Sequence, residues 1–243
     1  MVTKNLIKII ADLHQKKYRQ QHKMFIAEGQ KCISELLASD FELKNLFETE
    51  AVFESHRSDK KHRITTNDMQ KMSALTNPNN CLAVFGIPEP KPIDCNGLVV
   101  ALDNVSDPGN LGTIVRLCDW FGVRQLFCSN NTVDLYNPKV VQATMGSLAR
   151  VNVTYGDLDV FLATAKTPVF GTFMDGTNVY NQELPRNAIL LMGNEANGIS
   201  GALSAKVNNR ISIPQFGHLQ TTESLNVATA TAIFLSEFRR SDC

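Results

Sequence analysis

The chain has 243 residues, 43% of them hydrophobic and 20% charged, and its 24 Lys+Arg balance 24 Asp+Glu. This is a globular composition with room for one large domain or two small ones, and the zero net charge excludes a binder that holds nucleic acid by bulk basicity. No apolar run approaches the roughly 18 residues of a membrane span, and the opening MVTKNLIKIIADLHQKK lacks a signal peptide's apolar run and cleavage site, so the expected location is the cytoplasm.

Asn5–His22 reads as a helix. Charge is uneven here: residues 1–31 hold Lys4, Lys8, Lys16, Lys17, Arg19, Lys23 and Lys31 against Asp12 and Glu28. Such a helix either touches phosphate or is a solvated face. MFIAEG follows as a strand closed by Gly29, then QKCISELLAS as a helix, LKNLFE and HRITT as strands, NDMQKMSAL as a helix and CLAVFGIP as a strand. This alternation predicts a small α/β domain over residues 1–87. Pro88, Pro90 and Pro92 make 88–97 an extended linker.

Residues 98–243 alternate more clearly. GLVVALDNV is a continuous apolar strand of the kind buried in parallel sheets. LGTIVRLCDWFGV reads as a helix with Ile114, Leu117, Trp120 and Phe121 on one face, QLFCSN as a strand, and PKVVQATMGSLAR as a helix with Pro138 in its first turn. Strand VNVTY, helix LDVFLATA, strands PVFGTFMDG and AILLMG, helix GALSAKV, strand NRISIP and a last apolar helix complete the pattern. It predicts a parallel sheet covered on both faces. The six cysteines form no CxxC pair and have no His at ligand spacing, so they read as buried thiols, with no metal site.

Ligands of open α/β sheets bind at the carboxyl ends of the strands. Three such ends are rich in polar residues and glycine: LDNVSDPGNLGT (102–113), LMGNEANGIS (191–200) and IPQFGHLQTTESLN (213–226). Singly, each reads equally well as a turn or a helix cap, with Ser224 or Asn226 capping the last helix. Neither GxxxxGK[ST] nor GxGxxG is present. Three polar ends on one sheet point to a site.

In order, these segments resemble the three motifs of the SpoU (TrmH-like) RNA 2′-O-ribose methyltransferases of the SPOUT superfamily. Asn110, Gly112 and Arg116 carry the first, Gly193, Glu195 and Gly198 the second, and Ile213, Pro214, Ser224, Leu225, Asn226 and Val227 the third. FIAEGQKCISELL is similar to the small substrate-binding domain that precedes the catalytic domain in many members. The third motif departs from the pattern at Gln215, Phe216 and His218 and in a longer connection to Ser224, and Gln142 stands where a basic residue is usual.

The resemblance implies a C-terminal SPOUT domain with a deep trefoil knot, S-adenosylmethionine as cofactor, RNA as partner (ribosomal before transfer RNA) and a homodimer formed through that domain. It assigns cofactor binding to Thr172, Met192, Gly193, Asn194, Ile213 and Leu225, and catalysis to Arg116 with Asn110, Glu195, Ser224 and Asn226 around it. Two roles stay open for Arg116: proton acceptor, or holder of the RNA phosphate and the attacking oxygen. A base-methylating relative, an RNA-binding member without catalysis, and a nucleotide hydrolase are the competing readings. The last lacks a phosphate-binding lysine.

Overall fold

The computed structural model describes residues 2–194, 196–217 and 224–240. The first elements are α1 (Lys4–Asp12), α2 (Lys16–His22), β1 (Met24–Glu28), α3 (Gln30–Leu37), β2 (Leu43–Glu48), β3 (Lys61–Arg63), α4 (Thr66–Met72) and β4 (Cys81–Gly86). Then come β5 (Leu98–Leu102), α5 (Pro108–Trp120), β6 (Gln125–Ser129) and α6 (Pro138–Thr144). The chain ends with β7 (Asn152–Gly156), α7 (Leu158–Thr164), β8 (Val169–Asn178), β9 (Ala188–Met192), α8 (Gly201–Ser204), β10 (Asn209–Ser212) and α9 (Val227–Arg239). These elements pack as two compact units. One comprises 1–89 and 134–149, the other 90–133 and 150–243.

The first unit is built on a sheet of order β1-β4-β2-β3, antiparallel except for β2 and β3. Its core joins Ile10, Leu13, Ile26, Phe47, Met69, Met72, Leu82 and Val84. The single helix expected over Asn5–His22 is two. The apolar spacing of Leu6, Ile10 and Leu13 reaches the break itself, and no Gly or Pro stands between Leu13 and Lys16 to mark it. Arg19 fixes the break: its guanidinium donates to the carbonyls of Leu13 and His14 at 2.8 and 2.9 Å. The same side chain, 2% exposed, pairs with Asp134 Oδ2 at 2.5 Å. Arg19 is therefore structural, whereas Lys4, Lys8, Lys16, Lys17, Lys23 and Lys31 are exposed.

Asp134 belongs to the stretch 134–149, which linear reading places with the later strands. Its Tyr136 ring lies 4.8 Å from that of Phe25, and Val140 and Val141 are buried. The predicted helix over 138–150 stops at Thr144, because Met145 and Gly146 take positive φ. A Cβ on Gly146 would stand 2.5 Å from Glu35 Cβ, so only glycine fits this turn.

The second unit carries a six-stranded sheet of order β10-β8-β9-β5-β6-β7. Every neighbouring pair is parallel. All residues of β5 and β9 are buried, as a sheet covered on both faces requires. Val99, Ala101, Phe127, Ile189 and Leu191 meet Leu158 and Leu162 of α7 and Leu203 of α8. On the other face Phe170 packs edge-on against Phe238 of α9. The helix predicted over GALSAKV shortens to four residues. In α5 the buried face is Leu111, Ile114, Val115 and Cys118, and Trp120 is 84% exposed, which corrects the apolar face assigned from sequence. Cys32, Cys81, Cys118 and Cys128 are buried, and burial pushes the Cys81 thiol up to about 11.

The Arg19–Asp134 pair generates a stability prediction. Asp134→Ala leaves a guanidinium buried without its carboxylate and should lower the unfolding free energy by about 3 kcal/mol, read as a lower urea midpoint. A midpoint equal to that of the unaltered chain would contradict a structural role for the pair.

Candidate active site

From β5 the chain runs through β6 to β7 on one side of the sheet, while β9 lies on the other. The order therefore reverses between β5 and β9, and the carboxyl ends of those strands are where such sheets form a ligand crevice. A groove of about 530 Å3 opens there, lined by Ser106, Asp107, Asn110, Asn194, Ala196 and Asn226. Each of the three polar strand ends contributes to it.

The first wall follows β5. Asp103 is 3% exposed, and a buried carboxylate must be hydrogen-bonded. Its Oδ2 accepts from the Ser200 amide at 2.8 Å and its Oδ1 from Asn104 Nδ2 at 2.9 Å. Asn104 takes a left-handed φ of 57°, and its amide donates to Ser129 Oγ at 2.9 Å. Asp107 then caps α5, accepting from the Asn110 amide at 2.8 Å, with Pro108 at the first helical position.

The second wall follows β9. Met192 ends the strand, 2% exposed. Gly193 is obligatory, because a Cβ there would lie 2.2 Å from the Gly198 carbonyl carbon. Asn194 and Gly198 exchange backbone hydrogen bonds, both 2.9 Å, which closes the loop. Asn194 Nδ2 donates to the Asn104 carbonyl at 2.7 Å and so ties this loop to the first wall. Glu195 lies outside the described residues.

The third wall is the start of α9. Asn226 Oδ1 accepts from the amides of Ala228 and Thr229, capping the helix, while its Nδ2 donates to Asn110 Oδ1 at 2.8 Å. Side chains 116 positions apart thus meet in the groove. Ser224 and Leu225 are exposed, Ile213 is half-buried, and Thr172 Oγ1 donates to the Leu191 carbonyl at 3.3 Å.

Arg116 is not among the groove's lining residues. It follows Asn110 by six positions, about 120° around the helix at 3.6 residues per turn. It lies on an exposed stripe with Thr113 and Trp120, and among the described residues it has no hydrogen bond or ion pair. Asp103, Asn104, Ser129 and Ser200 hold the walls together and were not singled out from the sequence. The available signal was an Asp–Asn pair directly after five apolar strand residues.

Comparison with known proteins identifies the family. The model of the SpoU rRNA Methylase family matches residues 97–236, and that of the MRM3-like substrate binding domain matches 4–83. A 23S rRNA (guanosine(2553)-2′-O)-methyltransferase, RlmP of Bacillus subtilis, is 29% identical over 235 residues, with 93% of each chain covered. A solved structure assigned to the TrmH family of RNA methyltransferases, from Porphyromonas gingivalis, superposes with a TM-score of 0.91 at 38% identity over 99% of both chains. An AdoMet-bound rRNA methyltransferase from Sinorhizobium meliloti gives a TM-score of 0.86 at 29% identity, over 99% of this chain and 96% of that one. With more than half its length matched in this way, the chain belongs to the SpoU rRNA methylase family.

Proposed function

We propose that this chain transfers a methyl group from S-adenosylmethionine to a ribose 2′-hydroxyl of ribosomal RNA. The observation that carries the reading is the meeting of Asn110 and Asn226 at 2.8 Å in a groove they share with Asn194, at the switch point of a parallel sheet. Ribosomal RNA is favoured over transfer RNA by the substrate-binding match over 4–83 and by the 23S rRNA named for the Bacillus subtilis relative. We divide the labour accordingly: residues 1–87 bind RNA, with the exposed lysines of α1 and α2 toward phosphate, and 98–243 bind cofactor and carry out transfer. The location that follows is the cytoplasm.

The residues present fit the cofactor. The groove is lined by Asn110, Asn194 and Asn226 with Ser106, Asp107 and Ala196, mostly the polar donors and acceptors that a zwitterionic nucleoside needs. Buried Met192, half-buried Ile213 and exposed Leu225 offer apolar surface for adenine, Gly193 and Asn194 follow the end of β9, and Thr172 lies within β8 with its Oγ1 on the Leu191 carbonyl. When bound, the cofactor supplies a methyl carbon on a positively charged sulfur. The chain's part is to orient the ribose oxygen in line with that carbon–sulfur bond and to exclude water. Asn110 and Asn226 meet at the groove, which supports assigning them to the ribose, and we assign Ser224 and Glu195 to the same set.

Arginine is a donor and never an acceptor at working pH. We therefore assign Arg116 the bidentate holding of an RNA phosphate, and assign to Glu195, the carboxylate of the proposed set, the proton that the 2′-hydroxyl loses as its oxygen takes the methyl group. The outward stripe of Arg116 leads to a second element of the proposal. The active site is finished by a second copy, which covers Trp120 and Arg116 along α5 and the half-buried Ala230 and Ile233 of α9. Supporting this, α5 and α9 pack side by side, with Arg239 Nε donating to the Phe121 carbonyl at 2.9 Å, so their outer faces form one surface. The trefoil knot belongs to the same reading, supported by the 0.91 TM-score to a TrmH-family structure.

Two predictions follow from these assignments. Arg116→Ala should slow single-turnover methyl transfer to unmodified ribosomal RNA by at least about 100-fold, and Arg116→Lys should restore little. Cofactor at about 100 times its dissociation constant should still stabilise the variant by roughly 2.7 kcal/mol, with no metal added. Near-normal transfer by Arg116→Ala removes it from the mechanism, and a chain that never binds cofactor is an RNA binder without catalysis. The second prediction concerns assembly: light scattering at micromolar concentration should give a dimer, and Trp120→Asp a monomer. A monomeric unaltered chain contradicts the shared site.

A further inference from the structure

Two aromatic rings stand beyond the carboxyl ends of β8 and β10, outside the groove. Phe216 follows β10 and is 81% exposed. Tyr180 lies in a 3-10 turn, Val179–Asn181, directly after β8, and is half-buried. The ring centroids are 6.4 Å apart with planes inclined at 31°.

The base beneath the rings is firm. Ser212 pairs with Asn178 in the ladder, and Ser212 Oγ donates to the Gly176 carbonyl at 2.8 Å. Thr177 Oγ1 donates to the Arg210 carbonyl at 2.9 Å. A Cβ on Gly176 would lie 2.5 Å from the Ile211 carbonyl carbon, so the two strands meet backbone to backbone. Asn178 Oδ1 caps the turn that carries Tyr180, accepting its amide at 3.0 Å.

We propose that Phe216, backed by Tyr180, is a stacking platform for an unpaired nucleobase of the substrate RNA beside the nucleotide being methylated. The proposal rests on the methyltransferase reading above. β10 is three strand spacings from β5, roughly 14 Å along the sheet's carboxyl edge. A ribose held at the β5–β9 groove brings the next part of its strand across that edge. Unpaired bases are recognised by stacking on aromatic side chains. A second copy of the chain is a poorer occupant. Each aromatic ring buries about 150–250 Å2, whereas a stable dimer buries about 800 Å2 per partner. The cofactor's adenine is poorer still, because Met192 and Ile213, both more buried than Phe216, already offer it a wall.

The test uses the full chain, an oligoadenylate of about ten nucleotides, an abasic oligomer of equal length, and S-adenosylmethionine. The unaltered chain should bind oligoadenylate about tenfold more tightly than the abasic strand, the size of a single base–aromatic stack. In Phe216→Ala that preference should vanish, in Phe216→Trp it should persist, and cofactor affinity should be the same in all three. The side chain is exposed, so truncation leaves the fold intact. A preference retained by Phe216→Ala overturns the proposal. So does a loss of cofactor affinity, which would put the ring on adenine, or a shift to monomer, which would put it on a second copy. An unaltered chain that binds cofactor and ribosomal RNA yet ignores bases overturns stacking alone. One that binds neither overturns the methyltransferase reading as well.

Discussion

A carboxylate sits almost without exposure at the end of the central strand, and the catalytic unit is arranged around its needs. Asp103 can stay buried only if donors reach it. One of them, the Ser200 amide, comes from the far side of the loop after β9. The loops after β5 and β9 are thereby joined at their bases, with Asn194 joining them again through the Asn104 carbonyl. Gly193 permits the close backbone approach that brings Gly198 and Ser200 into range. Once these two walls are fixed, Asn110 stands at a set place in the first turn of α5, and Asn226 can cap α9 and reach Asn110 with one amide. A buried charge, a missing Cβ and a shared amide therefore give the groove a fixed geometry before any ligand arrives. This is the preorganisation that a displacement reaction with no covalent intermediate depends on.

The first unit relies on a similar device. Arg19 satisfies two carbonyls freed by the break between α1 and α2, and its remaining edge faces Asp134. The pair clamps the 134–149 excursion onto the β1–β4 unit, with the Tyr136 ring tilted against that of Phe25 and Gly146 closing against Glu35. Truncation before Pro92 would therefore strip Val140, Val141 and Leu148 of the partners that bury them, and is not a clean way to separate RNA binding from transfer.

What the sequence discloses and conceals has physical causes. The central strands of the parallel sheet are legible because strands buried on both faces must be apolar throughout, as Leu98–Leu102 and Ala188–Met192 are. The three polar ends are legible because turns and caps demand Gly, Asn, Asp and Ser in a local order. Long-range pairing is not local. Nothing in PKVVQAT says which unit buries Val140 and Val141, and nothing in Arg19 separates it from its exposed basic neighbours until Asp134 is seen beside it. Trp120 misled for a related reason. An apolar residue at helical spacing signals burial without naming what covers it, and here the chain's own fold leaves it 84% exposed.

The most direct measurement of the central claim is the chemical identity of the methylated position. Unmodified ribosomal RNA, incubated with the chain and S-adenosylmethionine, is partially hydrolysed in alkali and resolved as a ladder. A 2′-hydroxyl that carries a methyl group cannot attack the adjacent phosphodiester, so ribose methylation leaves a gap at one position. The account predicts such a gap, appearing only when chain and cofactor are both present. Methyl incorporation with an unbroken ladder would place the group on a base and contradict it.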